Sequence, residues 1–158
     1  MTQNSNIKVH VYFPEKGKLM AGKFMVAGNA IIEKDGKVLI TRRNPKRWLG
    51  NVWEFVSGRI EQGEDLVTGL KREVREEVSL EIEPLFPIYT THFYRGEKKA
   101  ENEVIMVTYV CRYVSGEITL KTDEQVEFRW ASPSELTQYE SLMKYFAEEI
   151  NEYGKLKR

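Results

Sequence analysis

Apolar residues recur along the chain with two periods. Short runs rich in β-branched and aromatic residues stand at Lys8–Phe13, Phe24–Glu33, Lys37–Arg42, Val52–Val56, Ile88–Tyr94, Glu103–Val114 and Gln125–Ala131. Each is predicted to be a strand. Lys34-Asp35-Gly36-Lys37 joins two of them as a hairpin turn, because Asp-Gly tolerates the positive φ of a tight turn. Asn44–Asn51 holds Pro45 and Gly50 and is predicted to be a loop. Leu66, Leu70, Val74 and Val78 repeat every four residues, which predicts a helix over 65–78. Leu142, Phe146 and Ile150 share one face of a second predicted helix over 140–153, with a capped turn at Ser132–Leu136 before it. Strands outnumber helices, so the fold class is α+β, a sheet with helices packed outside it.

The chain is 158 residues long, the length of one domain at about 150 residues each. Basic and acidic residues balance at 24 each, which gives no general reason to expect nucleic acid or an anionic membrane as partner. One cysteine, Cys111, lies in the apolar run Val104–Cys111 and is read as core; it excludes an intramolecular disulfide and a cysteine-rich zinc site. No run approaches the roughly 18–20 apolar residues of a membrane span. The polar N-terminus lacks a signal-peptide layout, so a cytoplasmic location is expected.

The predicted helix at 65–78 carries the unusual chemistry. Glu73, Glu76 and Glu77 stand at i, i+3 and i+4. At about 100° per residue they fall near −20°, −80° and +20° relative to Leu66, along one edge of the apolar stripe. Arg75, near 180°, takes the solvent side. Like charges at that spacing repel by a few tenths of a kcal/mol per pair, and more where half buried. A divalent cation relieves them, and a hard oxygen set without His or Cys favours Mg²⁺ or Mn²⁺ over Zn²⁺. Spacing alone leaves a solvated acidic face as the other reading.

The flanking residues change this. Gly58, Glu64 and Arg72-Glu73-Val74-Arg75-Glu76-Glu77-Val78-Ser79-Leu80 resemble the Nudix box, G-x5-E-x7-R-E-U-x-E-E-x-G-U with U aliphatic. All fixed positions match except the last glycine, where Ser79 stands. A chance match of that kind is on the order of 10⁻⁶ from residue frequencies. The resemblance implies a single Nudix domain over 1–158 with its core at about 22–153, built as a mixed sheet sandwiched between helices with a loop–helix–loop motif. It implies hydrolysis of a diphosphate bond in a nucleoside triphosphate or another nucleoside diphosphate derivative, with Mg²⁺ or Mn²⁺. Glu73, Glu76 and Glu77 resemble the metal ligands, Arg72 the arginine that orients a box glutamate, and Glu64 the glutamate that supports the helix. Gly58 is the motif glycine. Ser57 sits where a backbone carbonyl touches a metal in the family. Glu124 is the candidate glutamate from outside the box, with Glu127 and Glu103 as alternatives. Val-Ser-Gly before the box and Glu-Glu-Val-Ser within it resemble the dATP and dihydroneopterin-triphosphate branch.

Substrate contacts are expected around the box. Thr41–Arg47 is basic, and Arg42, Arg43 and Arg47 are the candidate phosphate ligands. Trp48 is the candidate for stacking on a base; Trp53 and Phe55 flank the box and are read as either stacking or core. His92 and His10 are isolated and read as structural. ADP-ribose or dinucleoside polyphosphate hydrolysis, and a non-catalytic Nudix ligand-binding module, are the alternatives. The expected partner is a small-molecule nucleotide; no nucleic acid or membrane is expected, and the chain is a monomer or homodimer.

Overall fold

The computed structural model describes residues 23–157; the predicted strand Lys8–Phe13 lies outside them. The described strands form a seven-stranded sheet whose main path runs β3-β2-β1-β6-β5. The strands are β1 (Met25–Lys34), β2 (Lys37–Arg43), β3 (Trp53–Glu54), β4 (Val56–Arg59), β5 (Glu81–Tyr94), β6 (Glu103–Ser115) and β7 (Gln125–Ala131). Off the main path, β4 pairs with β1 and β7 with β2. The pair β1–β6 is parallel, from Met25↔Val104 to Glu33↔Arg112, and the other pairs are antiparallel. The sheet is therefore mixed.

Helices cover both faces, which is why the central strands read as continuous apolar runs. Ile32, Ala30, Leu39, Val56 and Cys111 pack under α1 (Leu66–Val78), against Leu70, Val74 and Val78. Their strand neighbours Ile31 and Ile40, with Met106, pack on the other face against Leu142, Phe146, Ile150 and Tyr153 of α2 (Glu140–Tyr145), α3 (Ala147–Lys155) and their junction. Ile31 and Ile32 are both fully buried, each worth about 1.5–3 kcal/mol in apolar area removed from water.

Three element boundaries differ from the sequence reading. The strand predicted at 88–94 begins at Glu81, because β5 is an edge strand that accommodates Pro84 and Pro87 at register shifts against β6. The run at 52–56 is cut into β3 and β4 at Phe55. The predicted helix at 140–153 breaks at Phe146, whose backbone (φ −132°, ψ 22°) leaves the helical region. Its apolar spacing continues through the break because α2 and α3 bury the same side.

Helix α1 starts where predicted. Asp65 caps it, its Oδ1 accepting from the Thr68 amide at 3.0 Å and its Oδ2 from the Thr68 hydroxyl at 2.6 Å, a cap worth about 1 kcal/mol. It ends at Ser79, which stands in the left-handed region (φ 60°, ψ 30°) with its amide on the Arg75 carbonyl. Serine pays a steric cost there that glycine does not. Ser79→Gly is expected to stabilise the protein by about 0.5–1 kcal/mol after loss of the long 3.4 Å Ser79–Thr119 contact. A melting-temperature rise of about 1–4 °C in calorimetry checks it.

Candidate active site

The carboxylates of α1 are organised by one arginine. Arg72 gives Nε and Nη2 to the two oxygens of Glu64 at 2.9 and 3.1 Å, a fork-to-fork pair. Its Nη2 also donates to the Arg59 carbonyl at 3.0 Å, tying the helix to the end of β4. Its Nη1 donates to Glu73 at 3.0 Å and reaches Glu76 at 3.4 Å. Arg72 thus reaches Glu76 one turn on, but Glu64 and Glu73 are the closer partners. The hydrogen bond from Arg72 holds the Glu64 carboxyl below the usual carboxylate range. Two glycines let these groups approach. A Cβ on Gly58 would lie 2.1 Å from Glu73 Cδ, and one on Gly69 would lie 2.2 Å from Glu64 Oε2.

Glu77 is placed differently. It is 9% exposed and points into a buried polar cluster. Gln125 Nε2 donates to Glu77 Oε2 at 3.4 Å and to Glu54 Oε1 at 3.1 Å. Glu54 Oε2 in turn accepts Arg43 Nε and Nη2 at 3.1 and 2.9 Å. Burial pushes the Glu77 carboxyl up to about 8, with Glu54 and Glu73 adding to the shift. Burial also raises Glu54 and Glu73, against the pull of Arg43 and Arg72 respectively. Three crowded carboxylates with few donors form a site short of positive charge. The all-oxygen donor set, and the unpartnered buried Gln125 Oε1 beside it, suit a hard divalent cation. Among the described residues no three potential ligands already converge on one point; Glu73 and Glu76 are drawn to Arg72 instead.

Two adjoining cavities open beside this cluster. The polar one, about 370 Å³, is lined by Glu73, Glu76, Glu77, Gly58, Ser57 and Glu124 and by the cations Arg43, Arg47, Arg59, Arg72, Arg95 and Lys121. The apolar one, about 310 Å³, is walled by Trp48, Leu49, Phe93, Tyr94, Met106, Tyr145 and Phe146. Arg43, Trp48, Ser57, Phe93 and Met106 line both. The loop between β2 and β3 reaches the site by docking on the loop before β7. Asn44 Nδ2 donates to the Thr122 carbonyl at 2.8 Å, and Arg47 bonds the Asp123 carbonyl at 2.9 Å and Glu124 Oε1 at 2.5 Å. Trp48, 43% exposed, stands at the cavity wall with the Arg95 guanidinium 6.0 Å from its ring centroid.

The structure thus brings together Glu64, Arg72, Glu73, Glu76, Glu77, Gly58, Ser57, Arg43, Arg47, Trp48 and Glu124. Two substrate candidates are corrected. Arg42 lines neither cavity; it pairs with Glu127 at 2.9 Å, since adjacent residues of a strand point to opposite faces. Phe55 is fully buried and packs edge-on against Phe146 with centroids 5.4 Å apart, so it is core. Trp53 packs edge-on against Tyr139 with centroids 5.3 Å apart and lines neither cavity. Glu103 pairs with exposed His92 at 2.7 Å, and neither it nor Glu127 lines a cavity. The sequence reading missed Glu54 and Gln125; an acidic residue inside the apolar run Val52–Val56 was the available signal for the first.

Comparison with known proteins shows the family and the fold. The family model for the NUDIX domain matches residues 23–150. A CTP pyrophosphohydrolase of Escherichia coli (strain K12) is 29% identical over 110 residues, 70% of this chain and 77% of that protein. An isopentenyl-diphosphate Delta-isomerase of Salmonella heidelberg (strain SL476) is 31% identical over 106 residues, 64% of this chain; the chain spans 58% of that relative's length. Among solved structures, a MutT protein from Methanosarcina mazei Go1 superposes with a TM-score of 0.74 at 23% identity, covering 88% of this chain and 99% of that one.

Proposed function

The chain belongs to the Nudix hydrolase family, and from that premise we propose that it is a Mg²⁺- or Mn²⁺-dependent pyrophosphohydrolase of nucleoside triphosphates, releasing a monophosphate and pyrophosphate. The observation that carries this is the joining of the two cavities. One is polar, lined by carboxylates and cations together; the next is apolar, aromatic and large enough for a base. Glu73, Glu76 and Glu77, with the Ser57 carbonyl, are the groups that would hold the cation. A bound divalent cation supplies charge neutralisation on the phosphates and activation of the attacking water.

The chain's own residues do the rest. Arg72 fixes Glu73 and, through Glu64, anchors the helix start. Arg43 and Arg47, with Lys121, line the polar cavity as the cations that would meet the phosphates. Trp48 offers its ring to the base. Glu124, held by Arg47 at the cavity wall, is the candidate to accept the water's proton, which requires an approach of about 3 Å. The polar cavity suits a diphosphate unit, and the E. coli relative's name makes CTP one of the first compounds to try.

The test is product identification by mass after incubation with Mg²⁺ and a panel of NTPs, dNTPs, ADP-ribose and diadenosine polyphosphates. Pyrophosphate plus a monophosphate is expected from at least one triphosphate. Cleavage of ADP-ribose or a dinucleoside polyphosphate alone moves the substrate to the alternative class, and ligand binding without turnover supports the non-catalytic module. On the preferred nucleotide, Trp48→Ala is expected to raise KM about tenfold with kcat within a few-fold, since base stacking is worth about 1–3 kcal/mol. Steady-state kinetics separates the two effects.

A further inference from the structure

Resting on the nucleotide reading of this site, we infer that Thr91, held by Glu149, makes the apolar cavity select a nucleobase bearing an exocyclic amino group. Thr91 stands on β5, on the strand face shared with Phe93, and lines the apolar cavity. Its hydroxyl donates to Glu149 Oε1 at 2.7 Å. Glu149, on α3, is 2% exposed. A hydroxyl has one proton and two lone pairs. The Thr91 proton is therefore committed to Glu149, and what Thr91 turns to the cavity is an acceptor.

Arg43 and Glu54 also line this cavity. Arg43 gives its Nε and Nη2 to Glu54. Glu54, 5% exposed, keeps lone pairs beyond those used by Arg43 and Gln125. At Thr91 the cavity thus presents an acceptor. An amino group on a base satisfies it. A carbonyl in the same place sets acceptor against acceptor and leaves both unpaired away from water, a cost that discriminates more strongly than the loss of an apolar contact. Cytosine, adenine and guanine carry the amino group; uracil and hypoxanthine do not.

The experiment compares kcat/KM for CTP against UTP, and for ATP and GTP against ITP, in the wild-type protein and in Thr91→Val, Thr91→Ser and Glu149→Gln. Equilibrium binding of the matching monophosphates without metal gives a second readout. The wild type is expected to favour at least one amino-bearing nucleotide by about tenfold or more, and the pair with the largest ratio identifies the base. Thr91→Val, nearly isosteric, is expected to bring that ratio close to one, while Thr91→Ser keeps it. Glu149→Gln, which can donate to Thr91 and release its proton toward the cavity, lowers the ratio as well. Equal melting temperatures for the wild type and Thr91→Val exclude a folding cause. A ratio unchanged in Thr91→Val or in Glu149→Gln overturns the inference and leaves the hydrolase intact, as does a wild type that prefers the oxo bases. Failure of every nucleotide to bind or turn over overturns both.

Discussion

Glu77→Gln loses turnover by a factor of about 10³ or more and at the same time melts at a higher temperature than the wild type at pH 8 without metal. The activity loss follows from removing a carboxylate proposed to hold the cation, and charge stabilisation of that kind is worth several kcal/mol of barrier. The stability gain follows from burial. Glu77 is 9% exposed, and burial, with Glu54 and Glu73 nearby, raises its carboxyl to about 8. Its folded value is thus above its unfolded value of about 4.5, so the folded state binds the extra proton. The stability this contributes is complete below about pH 4.5 and is lost as pH rises through about 8. The loss is on the order of 5 kcal/mol at one pKa unit per about 1.4 kcal/mol. Glutamine keeps the shape, carries no charge and can still accept from Gln125. Metal-free melting curves from pH 5 to pH 9 are expected to fall for the wild type and stay flatter for Glu77→Gln, the two lines crossing.

Gly58→Ala is expected to lower kcat by about 10²-fold with a stability loss of only about 1–2 kcal/mol. The added Cβ would lie 2.1 Å from Glu73 Cδ, 2.2 Å from its Oε2 and 2.4 Å from its Cγ. No contact that close survives, so Glu73 must move. The atoms displaced end a flexible side chain, which keeps the cost to the fold small. The cost to function is large, because a carboxylate displaced by about 1 Å from a productive geometry loses about two orders of magnitude. Arg72 resists the displacement, since its Nη1 holds Glu73 at 3.0 Å while its other nitrogens hold Glu64. Steady-state kinetics beside calorimetry distinguishes this selective loss from general unfolding.

The parts of the site that sequence alone disclosed are those fixed by one helix and its immediate loops. Gly58, Glu64, Arg72, Glu73, Glu76 and Glu77 lie within a short stretch of chain, so helical geometry sets their relation and a spacing pattern can express it. Glu54 and Gln125 were not legible in that way. They are 71 positions apart and meet because β2 pairs with β3 on one side and β7 on the other. Arg42 and Phe55 were misread because nearness in sequence stood in for orientation. Strand alternation sends Arg42 and Arg43 to opposite faces, and the break between β3 and β4 turns Phe55 into the core beneath Phe146. Thr91 and Glu149, 58 positions apart, were silent for the same reason as Glu54. Long-range pairing writes no local period.

The most direct test of the central claim, that the α1 carboxylates hold the cation a nucleotide hydrolase needs, is the melting temperature at pH 8.5 as Mg²⁺ is added, for the wild type and Glu77→Gln side by side. A cation that binds only the folded state stabilises by RT ln(1 + [L]/Kd), about 2.7 kcal/mol at a hundredfold excess over Kd. The wild type is expected to rise by several degrees and Glu77→Gln to change little, bringing the metal-saturated wild type back to or above the variant. Equal responses of the two proteins, or no response of the wild type to either Mg²⁺ or Mn²⁺, would contradict the account.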